Sequence, residues 1–437
     1  MLKSIVKRAV PDRHPLRLAW HRSKGWRAAL QNGLPARKMR VIGVTGTDGK
    51  TTVTGMTACI LRAAEKTVGA ASTTFFQIND TVDWNETHMT SIEHAPFQRF
   101  LKKCADAGCE FFVAEAASHG LVQGRLGPMR PEVAAITNTS LEHLDYHGTM
   151  AQYRADKGLL FRMLGGKGTK VLNANDDTFA IYKDIRSTRT FGYDGSGNKG
   201  PFPGCDVSLW LTDIVAEQNA VSATMHATDG KHYMLKLNVP GLFNLENALC
   251  AIASAHAVGV PLNTCVQALL DFKGVPGRME RIDEGQEFNL FVDFTVTPLA
   301  YQKTLEAVRA MTQPGNRVLV LTGACGNRMR EKRPVIGKIC SELADVVVVT
   351  TDETVTEDPK KIIDEVWAGV DVSQADGYKI PDRREAIHFL VTHANAGDSV
   401  VLCGMGACQT MQTQKGLVPW DEREVARQIL YETEAAA

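Results

Sequence analysis

Gly46, Thr47, Asp48, Gly49, Lys50, Thr51 and Thr52 form a run whose residue types suit one task, holding a polyphosphate. Glycines let backbone amides turn inward around an anion. Lys50 can reach terminal phosphates, and the Thr51 or Thr52 hydroxyl can hold Mg2+. The spacing Gly-x-x-Gly-Lys-Thr-Thr is shorter than the usual phosphate loop. Two more stretches carry groups that suit a cation beside such a loop. One is Glu115 with Ser118 and His119. The other runs from Asn138 to His147 and holds His143, Asp145 and His147. Carboxylate oxygen suits Mg2+, which also takes phosphates and waters. A lone loop histidine is more often structural than a ligand. Three near one strand end leave both roles open. Lys157 follows on a helical pattern and by that pattern alone is an ordinary solvated lysine.

These residues need elements to position them. Val41–Thr45 reads as a short buried strand, and a helical pattern follows the loop through Met56, Cys59, Ile60 and Ala63. A helix N-terminus there adds free N–H groups and partial positive charge. Strands are expected at 67–71, 110–115, 133–138 and 170–173, and helices at 96–107, 150–164 and 241–258. Residues 205–239 read as antiparallel hairpins at one sheet edge. Strand–helix alternation argues a parallel sheet, and ligands bind at the carboxyl ends of its strands. Glu115 and Asn138 both end strands. Strands at 288–293, 317–321, 346–350 and 399–403, with helices at 298–311, 332–343, 359–368, 382–394 and 422–433, give a second, Rossmann-like unit. The expected fold is α/β: a central P-loop-type ATPase domain with a mostly parallel sheet (41–277), then a C-terminal Rossmann-like α/β domain (278–437).

Residues 1–40 form a basic arm, with Lys3, Lys7, Arg8, Arg13, Arg17, Arg22, Lys24, Arg27, Arg37, Lys38 and Arg40 against Asp12 alone. Leu16, Leu18, Ala19, Trp20, Trp26 and Leu30 can share one apolar helical face. That face packs on the body of the protein or meets a membrane surface or an acidic partner, or the arm is disordered. Over the 437 residues the formal net charge is zero, which gives no electrostatic case for nucleic acid. No apolar run is long enough to span a bilayer, and no export signal is recognisable. The 10 cysteines show no paired metal spacing and read as reduced cytoplasmic thiols.

Taken together and in order, GTDGKTT, EAASHG, TNTSLEHLDYHG, YRADKGLLF, FNLENALCAI, GVPGRMERI and the KRP and EDP stretches resemble the Mur ligase family. The nearest branch is the MurE type, which adds the third amino acid to a UDP-N-acetylmuramyl dipeptide. The resemblance runs from about Val41 to Arg427. It implies an ATP-dependent amide ligase of peptidoglycan assembly working through an acyl phosphate and a tetrahedral intermediate. By matched position it implies that Lys50 contacts the β and γ phosphates and that Thr51 sits at Mg2+. It implies that Glu115 and His143 are metal ligands and that Lys157 is carbamylated. It places Asn247 against adenine, with Arg278 and Asp293 closing over the nucleotide. Thr90, Ser91, Ser118 and His119 face the acceptor, and Arg328 or Lys332 meets phosphate or the incoming substrate.

Departures from the family pattern shape these expectations. The phosphate loop arrives by residue 46, so the family's usual UDP-binding domain is not expected before it. Met89-Thr90-Ser91-Ile92 stands where the MurE type has Thr-Thr-Pro. Asp352-Glu353-Thr354-Val355 replaces Asp-Asn-Pro-Arg, and Gly404-Met405-Gly406-Ala407-Cys408 replaces Gly-Lys-Gly-His-Glu. The Arg and Glu that would pair with diaminopimelate are absent, so that amino acid is disfavoured. Glu353 or Glu357 would suit a cationic side chain such as lysine's. Asp293-Phe294-Thr295-Val296-Thr297-Pro298 lacks the His of the family's Asp-Tyr-Ala-His-Thr-Pro. Two alternatives remain at this point. One is a ligase of the same superfamily with a polyglutamate- or cyanophycin-like acceptor. The other is a nucleotide-binding protein without turnover.

Overall fold

The structure is a computed structural model and describes residues 11–87, 89–217 and 219–436. Lys3, Lys7 and Arg8 of the basic arm lie outside the described residues.

The first sheet has eleven strands. They are β1 (Arg40–Thr45), β2 (Val68–Ala71), β3 (Phe75–Ile78), β4 (Thr81–Trp84), β5 (Phe111–Glu115) and β6 (Val133–Ile136), then β7 (Thr169–Asn173), β8 (Arg189–Asp194), β9 (Val207–Ala216), β10 (Val221–Ala227) and β11 (His232–Leu237). Their spatial order is β11-β10-β9-β8-β7-β6-β1-β5-β2-β3-β4. From β2 through β5, β1, β6, β7 and β8 to β9, neighbours run parallel. β5, β6 and β7 are buried along their whole length and β1 all but its first residue, which is why they read as unbroken apolar runs. β1 lies between β5 and β6, so the order of strand addition reverses there and a crevice opens at their carboxyl ends.

Helices cover both faces. They are α1 (Pro15–Gln31), α2 (Lys50–Ala63), α3 (His94–Asp106), α4 (Ser118–Val122), α5 (Leu144–His147), α6 (Met150–Lys157), α7 (Leu159–Arg162), α8 (Thr178–Lys183), α9 (Phe243–Ala257) and α10 (Leu262–Leu270). On one face Val53, Met56 and Ile60 of α2 pack with Leu245, Leu249 and Ile252 of α9. α9 is apolar nearly all round, the pattern of a helix sunk in a core. On the other face Phe97 and Leu101 of α3 meet Phe112, Leu160 and Phe161.

The second sheet has six strands. They are β12 (Glu280–Ile282), β13 (Asn289–Asp293), β14 (Val318–Thr322), β15 (Val346–Val349), β16 (Asp376–Lys379) and β17 (Ser399–Cys403), ordered β12-β13-β17-β14-β15-β16. All pairs are parallel except β12 with β13. Its helices are α11 (Pro298–Met311), α12 (Lys332–Leu343), α13 (Pro359–Trp367), α14 (Arg383–His393) and α15 (Glu422–Ala436), and β18 (Thr410–Thr413) pairs with β19 (Gly416–Pro419) as a hairpin.

Two expectations need correction. The helix expected over 150–164 is split at Gly158 into α6 and α7. The 205–239 hairpins stand at one sheet edge as expected, β9, β10 and β11 pairing antiparallel while β9 joins β8 in parallel. α1 does not pack through its large apolar residues. Gly25, Ala28 and Ala29 face inward, and small side chains let it lie close to its neighbours. Leu16, Trp20, Trp26 and Leu30 face outward. No helix among the described residues is long and apolar enough to cross a membrane.

Candidate active site

The carboxyl ends of both sheets face one cleft of about 300 Å³. Its walls are the loop after β1, the ends of β5 and β6, and the loops after β13, β14, β15 and β17.

The 46–52 loop closes tightly. Gly49 caps α2 with φ +79°, and a Cβ there would come within 2.2 Å of Asn247 Oδ1. A Cβ on Gly46 would strike Thr137 Oγ1 at 1.8 Å. Both positions therefore need glycine. The loop is tied to β6: Thr47 N donates to Asn138 O (2.8 Å), and Thr137 Oγ1 donates to Asp48 O (2.6 Å). Lys50 Nζ donates to Thr47 O at 2.6 Å, folded across the loop it would leave for a phosphate.

Glu115 is 2% exposed. It accepts from Thr51 Oγ1 (3.0 Å), Thr73 N (2.7 Å) and Thr73 Oγ1 (2.9 Å). The Thr73 and Thr90 hydroxyls lie 2.9 Å apart. His143 begins α5 in the left-handed region (φ +58°) and lines the cleft. Burial, then the charges of neighbouring basic groups, hold its pKa well below the ordinary value. The imidazole is therefore neutral, with a lone pair for a cation.

Lys157 does not line the cleft. It lies beneath the loop, 1% exposed, and Nζ donates to Gly46 O. Nζ is also 4.3 Å from the Tyr153 ring centre, and the Tyr153 hydroxyl is 3.1 Å from Thr47 Oγ1. The solvated lysine of the sequence pattern is thus a buried one. Burial, with Lys50 adding, pushes its pKa well down.

The C-terminal unit meets the first through four polar residue pairs, two of them on the loop. Arg278 Nη2 donates to Thr51 Oγ1 at 3.2 Å, and Thr297 Oγ1 donates to Asp48 at 3.1 Å. Lys303 Nζ reaches Glu246 Oε2 at 3.1 Å, and Lys332 Nζ reaches Glu142 at 3.0 and 3.1 Å. Lys332 also donates to Val296 O and lines the cleft. Asp293 lines the cleft and accepts from Met279 N (2.9 Å), Thr304 Oγ1 (3.2 Å) and Thr295 Oγ1. Asn247 lines it beside Gly49, and Thr52 and the exposed Arg328 line it too. Thr73, Glu142, Thr297 and Lys303 escaped the sequence reading, since each acts through a partner distant in the chain.

Of the residues expected to face the acceptor, Thr90 lines the cleft; Ser91, Ser118 and His119 do not. Ser91 Oγ accepts from Ala117 N at 3.1 Å. Ser118 Oγ is 3.0 Å from His147 Nε2, and His147 Nδ1 is 2.6 Å from Asp156 Oδ2. Arg13 of the arm holds Asp156 with two bonds. That order resembles a nucleophile relay, but Ser118 is 2% exposed, so the chain braces α4 against α6. His119 packs against Tyr146 and His143, with ring centres 4.2 and 4.7 Å away. Burial, with nearby basic groups, lowers its pKa to about 3.

The two acids offered for a cationic side chain part company. Buried Arg333 grips Glu357 at 2.9 and 3.0 Å and holds its carboxyl down to about 2. Glu353 lines the cleft and accepts from Gln412 N at 3.3 Å. Burial and Asp352 push its pKa up.

A Mur ligase middle domain model matches residues 44–255, and a "Mur ligase, glutamate ligase domain" model matches 277–406. A UDP-N-acetylmuramoyl-L-alanyl-D-glutamate–2,6-diaminopimelate ligase of Trichormus variabilis is 36% identical over 418 residues, covering 93% of this chain and 80% of that protein. A UDP-N-acetylmuramyl-tripeptide synthetase of Roseiflexus sp. is 36% identical over 427 residues, covering 93% and 81%. A solved diaminopimelate ligase of the first kind is 28% identical with a TM-score of 0.61, covering 91% of this chain and 79% of that one.

Proposed function

Since the chain belongs to the Mur ligase family, we propose that it is an ATP-dependent, ADP-forming acid–amino-acid ligase that extends a muramyl-peptide acceptor by one residue in cytoplasmic peptidoglycan assembly. One observation carries the site assignment: Thr51 joins Glu115 on one side and Arg278 of the second sheet on the other, at the mouth of the phosphate loop. Residues 1–40, 41–277 and 278–437 act as arm, ATP-binding unit and closing unit.

A carboxylate is a poor electrophile. Its oxygen attacks the γ-phosphorus, ADP leaves, and the acyl phosphate that forms has a good leaving group. The amine of the incoming amino acid adds to the carbonyl carbon. The tetrahedral species expels phosphate and the nitrogen loses its proton. Such chemistry rests on positioning and charge neutralisation. Lys50 leaves Thr47 O to neutralise the terminal phosphates, and Arg278 approaches from the closing side. Asn247, beside Gly49, borders the adenine. Asp293 orders the loop that closes over the nucleotide.

Mg2+ supplies charge neutralisation and polarises phosphate oxygens when bound. Among the described residues no three His, Cys, Asp or Glu side chains converge on one point. A site of one carboxylate, a hydroxyl, an imidazole and substrate phosphates still fits a cation that takes few protein ligands. Thr51, Glu115 and His143 would hold it. Lys157, as a carbamate beneath the loop, would supply negative charge where an ammonium would repel the metal. Its burial beneath Gly46 supports this, because burial favours the neutral amine whose lone pair adds to CO2 with loss of a proton.

Thr90 contacts the acceptor, with Ser91, Ser118 and His119 shaping the wall behind it, and Arg328 meets an anionic group at the rim. Glu353 receives a cationic group of the incoming amino acid, so lysine is favoured over diaminopimelate. ADP release tested across acceptors and amino acids discriminates the readings. Turnover with a muramyl dipeptide supports this one. Turnover only with a polyglutamate-type acceptor, or none at all despite ATP binding, overturns it.

A further inference from the structure

A second cavity, of about 410 Å³, shares no lining residue with the ATP cleft. Its floor is apolar, with buried Leu121, Leu126 and Met129. Arg22, Arg37, Arg130 and Arg162 stand around it, all exposed, and Trp26 beside them is 49% exposed. None of these four guanidinium groups is paired with an acid among the described residues. Elsewhere the protein pairs most of its arginines. Four like charges around one hollow repel one another and call for an anion. Guanidinium matches phosphate oxygens in bidentate fashion, and an open indole offers a stacking face for a base.

The cavity backs onto the acceptor side. Gly120 and Leu121 of α4 line it, while α4 begins at Ser118. Gly120 lies so close to Ser91 that a Cβ would come within 2.4 Å of Ser91 Cβ. One short helix therefore separates the acceptor wall from the arginine cavity. A substrate with a peptide at one end and a diphosphate at the other needs two sites in that relation.

Resting on the ligase reading above, we propose that this cavity takes the nucleoside diphosphate end of the acceptor. The arginines hold the diphosphate, Trp26 stacks on the base, and the apolar floor receives the sugar.

The test uses the full chain with saturating ADP and Mg2+, so that the ATP cleft is filled. Uridine diphosphate is titrated by calorimetry. One-site binding is expected. The double variant Arg37→Ala/Arg162→Ala should weaken it about tenfold or more with ADP affinity unchanged, and Trp26→Ala should weaken it where Trp26→Phe does not. With UDP-muramyl dipeptide the double variant should raise KM for the acceptor and leave kcat and the KM for ATP alone. The altered arginines are exposed, and Arg22→Gln/Arg130→Gln serves as a second pair should the first misfold. Absent UDP binding, or binding that ignores the variants, overturns the proposal. So does inorganic phosphate binding as tightly as UDP. Anionic vesicles of phosphatidylglycerol captured through these arginines, with no UDP binding, would assign the surface to a membrane instead. Normal turnover with an unchanged acceptor KM in both double variants would sink the cavity and spare the ligase. Arginine-dependent UDP binding without turnover on any acceptor would do the reverse.

Discussion

Lys332 and Glu142 stand 190 residues apart in the chain and meet as a buried ion pair, Nζ lying 3.0 and 3.1 Å from the two carboxylate oxygens. The side chains are 5% and 7% exposed. The pair joins the first turn of α12 to the residue just before His143. It therefore ties the C-terminal unit to the His143 side of the cleft. Removing one partner of such a pair strands the other charge, at a cost of about 3–5 kcal/mol. Lys332→Ala should lower the urea midpoint and cut ADP release together. Lys332→Met with Glu142→Leu should recover much of the stability and little of the activity. Full activity in the double variant would show that turnover does not need this tie.

Lys157 lies under the loop without facing the cleft, so its substitution separates chemistry from ligand binding. Lys157→Ala should lower turnover by about 100-fold or more while ATP still binds. Short carboxylic acids should restore part of the activity, since a free carboxylate can occupy the vacated place. An active variant insensitive to bicarbonate would contradict the carbamate.

Glu353 lines the cleft and is held by a backbone N–H, whereas Glu357 is held by Arg333. Lysine should outcompete diaminopimelate as the incoming amino acid. Glu353→Gln should raise KM for lysine by about tenfold and leave the KM for ATP in place. A preference for diaminopimelate in the wild-type enzyme would refute the assignment of Asp352–Val355.

Glu357 also sets a pH dependence. Arg333 holds its pKa at about 2, against an ordinary 4.5. The folded value is the lower one, so the ionised form favours folding. That contribution is complete above about pH 4.5 and is lost as pH falls toward 2. Between those limits the Tm of the wild type should fall more steeply than that of Glu357→Gln. Parallel curves would show that the pair adds nothing.

Much of this was readable in the chain because it is local. The run 46–52 carries its own chemistry, and buried parallel strands such as β5 and β6 announce themselves as apolar runs. α11 and α12 fall where the sequence puts them, at 298–311 and 332–343. What escaped is nonlocal or edge structure. β3 is short and half-buried, so no buried run marked the β2–β3 turn that brings Thr73 to Glu115, and β4 is exposed along its whole length. β8 hides behind a mid-strand glycine. The Lys332–Glu142 pair was invisible because nothing near Lys332 in sequence reveals Glu142. The large apolar residues of α1 pointed to the wrong face, since Gly25, Ala28 and Ala29 carry no strong hydrophobic signal yet permit the closest approach.

The central claim is that this cleft makes an inert acid reactive by moving phosphate onto it. Muramyl dipeptide labelled with 18O in the carboxylate to be extended would be turned over with ATP and the preferred amino acid, and the released phosphate read by 31P NMR. One 18O per phosphate, with ADP formed in step with the amide, is the predicted result. Unlabelled phosphate, or AMP and pyrophosphate in place of ADP, would contradict it.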